Sequence, residues 1–233
     1  MPPRHVLITG ASRGIGAALA EHCLAAGDSV VGCGRSAPTL CHERYTHRMV
    51  DITDDSAVDG FFRELKHQFK TLDVLINNAG IASMNAIALT PVEAARRILE
   101  TNFLAAFHFT REALRMMRRS PAARIVNIST VAVPLRLEGE AVYAASKSAL
   151  ETFTRIAARE VAPFGITCNA VGPSPIRTKL TAGVPDRKIQ AIIDAQAVRR
   201  WAECEDVVNV VDFFLRPQSS MVTGQVIYLG GIS

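Results

Sequence analysis

Short runs of apolar residues alternate with longer amphipathic stretches along almost the whole chain. VLIT (6–9), SVVGC (29–33), RMVDI (48–52), DVLINN (73–78), RIVNIS (124–129), ITCNAV (166–171) and QVIYL (225–229) are apolar nearly throughout. Runs of that length between turn residues read as strands buried on both faces. Between them the spacing predicts helices over 14–26, 54–69, from Thr90-Pro91 onward, 103–118, 143–162 and 203–215. Thr53 or Asp54 can cap the second of these, and Pro91 suits a first helical position. Pro163 and Gly165 end the fifth. Strands regularly separated by helices predict an α/β fold: a single-domain, Rossmann-type doubly wound parallel sheet of about seven strands, spanning residues 1–233. Ligands of such a sheet lie at the carboxyl ends of its strands.

Composition narrows the classes. The net charge of +4 is mild and not gathered in a tail, which argues against nucleic-acid binding. The five cysteines are scattered and form no C-x-x-C pair, so a reduced cytoplasmic protein without disulfides or a metal site is expected. An apolar strand begins almost at the first residue, leaving no room for a signal peptide, and no run of about 18 apolar residues predicts a membrane span.

The candidate chemistry sits at the strand ends. After the first strand comes Thr9-Gly10-Ala11-Ser12-Arg13-Gly14-Ile15-Gly16. Glycines there let the backbone approach a pyrophosphate at the N-terminus of the following helix. At the end of the second strand, where an NAD site carries an acidic residue, the chain has Gly34 and then Arg35. Together with Arg13, Arg35 could hold a 2′-phosphate by paired hydrogen bonds, which argues for NADP(H). In AVYAASKSAL (141–150), Tyr143 and Lys147 share one helix face. A free phenol ionises near pH 10, and a neighbouring ammonium lowers that value, so Tyr143 is expected to be an acid or base usable near neutrality.

These motifs resemble the short-chain dehydrogenase/reductase family over nearly the whole chain. TGASRGIG (9–16), Asp51-Ile52, NNAG (77–80), Asn102, the Tyr143/Lys147 pair and NAVGPSPIRT (169–178) fall in family order and spacing. The pattern is nearest to the 3-oxoacyl-carrier-protein reductase type and related carbonyl reductases. The resemblance implies that Gly10, Ser12, Arg13, Gly14, Ile15 and Gly16 cradle the pyrophosphate of NADP(H), with Arg35 at its 2′-phosphate. Asp51 and Ile52 would lie by the adenine, and Asn78, Ala79 and Gly80 along the adenosine side. Lys147 and Tyr143 would meet the nicotinamide ribose, and Pro173, Ile176 and Thr178 the carboxamide. Asn102 would support a water linking Lys147 to solvent. It further implies a homotetramer or homodimer pairing the helices 103–118 and 143–162.

Three departures stand out. The family's substrate-orienting serine, counted from either the asparagine or the tyrosine, falls on Thr130; Ser129 takes the role if the loop is one residue longer. Ser174 replaces a glycine, and YLGG (228–231) lacks the usual acid before its glycines. The implied activity is reduction of a small-molecule or carrier-bound ketone, with Tyr143 as proton donor and Asn102, Thr130 and Lys147 beside it. A non-catalytic NADP(H) sensor is the competing class. Arg111, Arg115, Arg118 and Arg119 read as a solvated helix face or a dock for an acidic carrier. Residues 174–200 read as a mobile substrate lid.

Overall fold

A computed structural model describes residues 3–232. Its strands are β1 (His5–Thr9), β2 (Ser29–Gly34), β3 (Tyr45–Met49), β4 (Val74–Asn77), β5 (Arg124–Ile128), β6 (Thr167–Gly172) and β7 (Val226–Tyr228). They form one parallel sheet in the order β3-β2-β1-β4-β5-β6-β7. Strand order reverses between β1 and β4, and there the crevice at the carboxyl ends opens.

Successive strand residues point to opposite faces, and both faces are apolar. Val6 and Ile8 of β1 join one core with Leu19 and Cys23 of α1 (Gly14–Ala25) and Val211 and Phe214 of α8 (Cys204–Leu215). Leu7 joins the other, with Phe61 and Phe62 of α2 (Asp55–Gln68), Phe109 and Met117 of α4 (Ala105–Met117) and Ala157 and Val161 of α6 (Ala141–Val161). This two-sided burial is why the strands read as unbroken apolar runs. The shorter helices are α3 (Val92–Leu99), α5 (Ala132–Leu135) and α7 (Asp186–Asp194). No described helix is long and apolar enough to cross a membrane.

Two expectations need correction. The third strand is Tyr45–Met49, not 48–52. It forms one edge of the sheet and is half-exposed, so it carries polar residues. Val50 and Ile52, which gave the apolar signal, pack on the core beyond the strand's end. The stretch 174–200 also contains α7, whose Ile189, Ile192 and Ile193 are buried. At the N-terminus of α2, Asp54 is the capping residue and accepts from the Ala57 amide at 3.0 Å.

Candidate active site

The turn after β1 is shaped to hold a backbone-recognised anion. Gly10 and Gly14 have φ of +68° and +57°, in the left-handed region that only glycine enters without strain. A Cβ on Gly16 would sit 2.3 Å from the Gly10 carbonyl oxygen. The N-terminus of α1 has no capping side chain and no acidic residue in its first turn, so its free amides and positive dipole end face the crevice. A pyrophosphate fits this cradle. Asn78 braces it: its side-chain amide donates to the Thr9 and Gly10 carbonyls at 2.9 and 3.1 Å. Thr9 Oγ1 accepts from the amides of Asn78 and Ala79, both at 3.0 Å. Thr178 reaches the same turn, its Cγ2 lying 3.6 Å from where a Gly14 Cβ would be.

Beyond β2, Arg35 and Arg13 are both exposed at the cradle's edge. Asp51 is held below the usual carboxylate range, first by hydrogen bonds from the Thr53 amide and hydroxyl and, to a lesser degree, by Arg35. Ile52 packs inward on the core, and Ile176 is buried and bridged to Ala202. Pro173 accepts from the Val131 amide, tying this segment to the end of β5.

The structure brings Tyr143, Lys147, Thr130 and Asn102 together. Tyr143 and Lys147 lie on the inward face of α6 and are buried. Lys147 Nζ donates to the Ile128 carbonyl at 2.7 Å. Burial pulls the Lys147 ammonium down to about 8. The expected lowering of the Tyr143 phenol is overturned for the protein alone. Burial pushes it up to about 12, and a hydrogen bond with the Thr130 side chain, which works the other way, only offsets part of that. Sequence registers the neighbouring charge but not the desolvation, and here desolvation is larger. Tyr143 is thus protonated at neutral pH.

Of the two hydroxyl candidates, Thr130 is the one whose side chain faces Tyr143 and favours its ionised form. Ser129 points elsewhere and donates to Glu151 Oε1 at 2.6 Å. Asn102 sits in a π turn (Glu100–Leu104) between α3 and α4. It accepts from the Ile81 amide at 2.8 Å and donates to the Ile81 carbonyl at 2.9 Å and to Ser146 Oγ at 3.0 Å. Gly80 allows this packing: a Cβ there would lie 3.2 Å from Asn102 Oδ1 and 3.3 Å from Lys147 Nζ. Ser174, one of the departures, donates to Gln196 Oε1 and to the Leu229 carbonyl, fastening the end of the 174–200 stretch to the chain's C-terminal segment. Sequence reasoning missed Glu151, whose one signal was its place four residues beyond Lys147 on the same helix.

A sequence model of the family described as enoyl-(acyl carrier protein) reductase matches residues 10–232. The 3-oxoacyl-(acyl-carrier-protein) reductase FabG of Escherichia coli (strain K12) is 32% identical over 231 residues, 97% of this chain and 95% of that protein. The chain belongs to the short-chain dehydrogenase/reductase family. FabG of Staphylococcus aureus (strain Mu50 / ATCC 700699) is 30% identical over 98% of this chain and 97% of its own. Among solved structures, the ligand-free aldohexose dehydrogenase of Thermoplasma acidophilum superposes with a TM-score of 0.89 at 29% identity, covering 99% of this chain and 94% of that one. A short-chain dehydrogenase of Leptospira borgpetersenii with bound NAD+ also gives 0.89, at 25% identity, over 99% and 92%. As a short-chain dehydrogenase/reductase, this protein is an oxidoreductase of a family that uses a nicotinamide cofactor.

Proposed function

We propose that this protein reduces a ketone to a secondary alcohol with NADPH, and that a 3-oxoacyl thioester on an acidic carrier protein is its substrate class. The observation that carries the reading is the buried Tyr143 hydroxyl, kept protonated by desolvation, beside Thr130 and one helical turn from Lys147. When bound in the glycine cradle, the nicotinamide cofactor supplies the hydride. The chain's own residues do the rest. Thr130 Oγ1 and Tyr143 Oη converge on the substrate oxygen, and Tyr143 gives up its proton to it. Lys147 holds a cation beside the phenolate that forms and binds the ribose. Asn102, fixed by Ile81 and Ser146, supports the path by which the proton returns. A proton relay of this completeness favours catalysis over the sensor alternative. The 174–200 stretch closes over the substrate as a lid.

Tyr143→Phe is expected to keep NADPH affinity and to lose at least about a hundredfold in kcat with acetoacetyl thioesters, the usual worth of a general acid. Near-normal turnover in that variant would remove the assignment. Preference for NADPH rests on Arg35 and Arg13 with no acid at Gly34. The NAD+ bound in the Leptospira relative supports the opposite choice, so the cofactor needs its own test. Arg35→Asp should shift the ratio of kcat/KM for NADPH over NADH at least about tenfold toward NADH, the worth of one charge-assisted bond. An unchanged ratio assigns Arg35 to the surface.

A further inference from the structure

Outside the residues given roles so far, one buried acid lies against the site. Glu151 is 3% exposed on α6, on the stripe that carries Tyr143 and Lys147. Its two carboxylate oxygens take different partners. Oε1 accepts from Ser129 Oγ at the end of β5, and Oε2 from Tyr228 Oη at the end of β7, each at 2.6 Å. Arg155 Nη1 stands 4.0 Å from Oε2, and its side chain is mostly exposed. A buried carboxylate is costly unless it is fully bonded, and these two short hydroxyl bonds are what bonds it.

Both partners lead to Thr130. Ser129 is its chain neighbour, and the Ser129 amide is fixed to the Val171 carbonyl at 2.7 Å. Tyr228 pairs in register with Gly172 and lays its ring on that glycine: a Cβ there would fall 2.3 Å from Tyr228 Cδ1 and 3.3 Å from the Thr130 carbonyl carbon. Gly172, Tyr228 and the Thr130 backbone thus form one packed stack, held from α6 by Glu151. Tyr228 is also the residue that opens the unusual YLGG ending, so the departure noted in the sequence lies inside this arrangement.

We infer that Glu151 is a positioning residue: through Ser129 and Tyr228 it ties the ends of β5 and β7 to α6 and so sets the Thr130 hydroxyl against Tyr143. The inference rests on the ketone-reductase reading. Glu151 touches neither substrate nor cofactor and acts only through Thr130.

The test is a double-mutant cycle with NADPH and acetoacetyl-CoA, joined to crystal structures of the variants. Glu151→Leu removes both bonds at similar volume, and Tyr228→Phe, the gentler change, removes one. Each is expected to lower kcat, by about tenfold and about threefold respectively, the worth of one or two modest hydrogen bonds, with KM for NADPH within about twofold. Glu151→Gln, which can accept from one hydroxyl and donate to the other, should restore kcat to within about threefold of the parent. In a Thr130→Ala background, Glu151→Leu should cost less than about twofold more. Equal losses in both backgrounds, or full activity in Tyr228→Phe and Glu151→Leu, overturn the inference. Should the parent protein reduce no ketone, the function reading fails by itself, and the structures still decide this one. A Thr130 hydroxyl that keeps its place beside Tyr143 in Glu151→Leu and Tyr228→Phe refutes the positioning role; one that swings away sustains it.

Discussion

Lys147 is 3% exposed, and its ammonium has a single hydrogen bond, to the Ile128 carbonyl. The sign of the resulting pH dependence follows from its lowered value. At pH below about 8 the lysine is charged both folded and unfolded, and the folded protein bears the whole cost of burying it. As pH climbs from about 8 to 10.5, the unfolded chain keeps its proton and the folded one has lost it, so stability increases with pH. The fall from 10.5 to about 8 sets an upper bound of about 3 kcal/mol for the gain. Lys147→Met should therefore be at least as stable as the parent at neutral pH without added cofactor, with the difference shrinking as pH approaches 10.5. Denaturant titrations of both proteins at a series of pH values read this directly. A parent whose stability falls through that window relative to the variant reverses the sign. Such a cost is expected of a cation buried with one hydrogen-bond partner.

At the scale of elements, the π turn between α3 and α4 does for Asn102 what a regular helix would not. A π turn inserts a residue into the helical repeat and redirects the side chains that follow, and it often marks a functional site. Here it turns Asn102 inward onto both polar groups of the Ile81 backbone. Asn102→Ala leaves a part-buried amide and carbonyl without their side-chain partner, and a loss of about 1–2 kcal/mol in unfolding free energy is expected, with an unchanged denaturant slope. A loss under about 0.5 kcal/mol would mean that the loop after β4 is held by other contacts. No residue pattern foretold the π turn; 103–118 reads as ordinary helix from its apolar spacing, and that spacing does not register one residue added at its start. The same limit explains β3. Apolar runs report burial, and they found β1, β2, β4, β5 and β6 because those strands are buried on both sides. At the β3 edge the apolar residues lie past the strand, and the strand itself is polar. In α7 the spacing of Ile189, Ile192 and Ile193 was readable, but the prolines and charges around it concealed it. Chain order and spacing were enough to pick out residues that the fold brings together, Asn102, Tyr143 and Lys147 among them. The partner of the Ser129 hydroxyl was not readable, because Glu151 meets it only through the packing of α6 on β5.

For the whole molecule, α6 has two faces with different tasks. The inner face carries Tyr143, Lys147 and Glu151. The outer face, with the neighbouring α4 and the π turn, leaves Ile156, Phe107 and Leu104 exposed at 53%, 46% and 50%. Phe153 sits among them, its ring 6.0 Å from Phe107 and 6.2 Å from Phe103 between centroids. Apolar residues grouped on paired helices suit a two-fold interface in which the same patch meets its copy. We propose that this face joins two copies and that the contact stiffens the helix holding the catalytic pair. Replacing both Phe107 and Ile156 by Glu puts like charges on each side of such an interface, where symmetry brings them together. In sedimentation velocity the parent is expected to run as a dimer or tetramer and the double variant as a smaller species. Because the substituted positions face away from Tyr143, a fall in kcat that accompanies dissociation would be transmitted through α6 itself. A parent that sediments as a monomer removes the interface, and a double variant that stays assembled places it elsewhere on the surface.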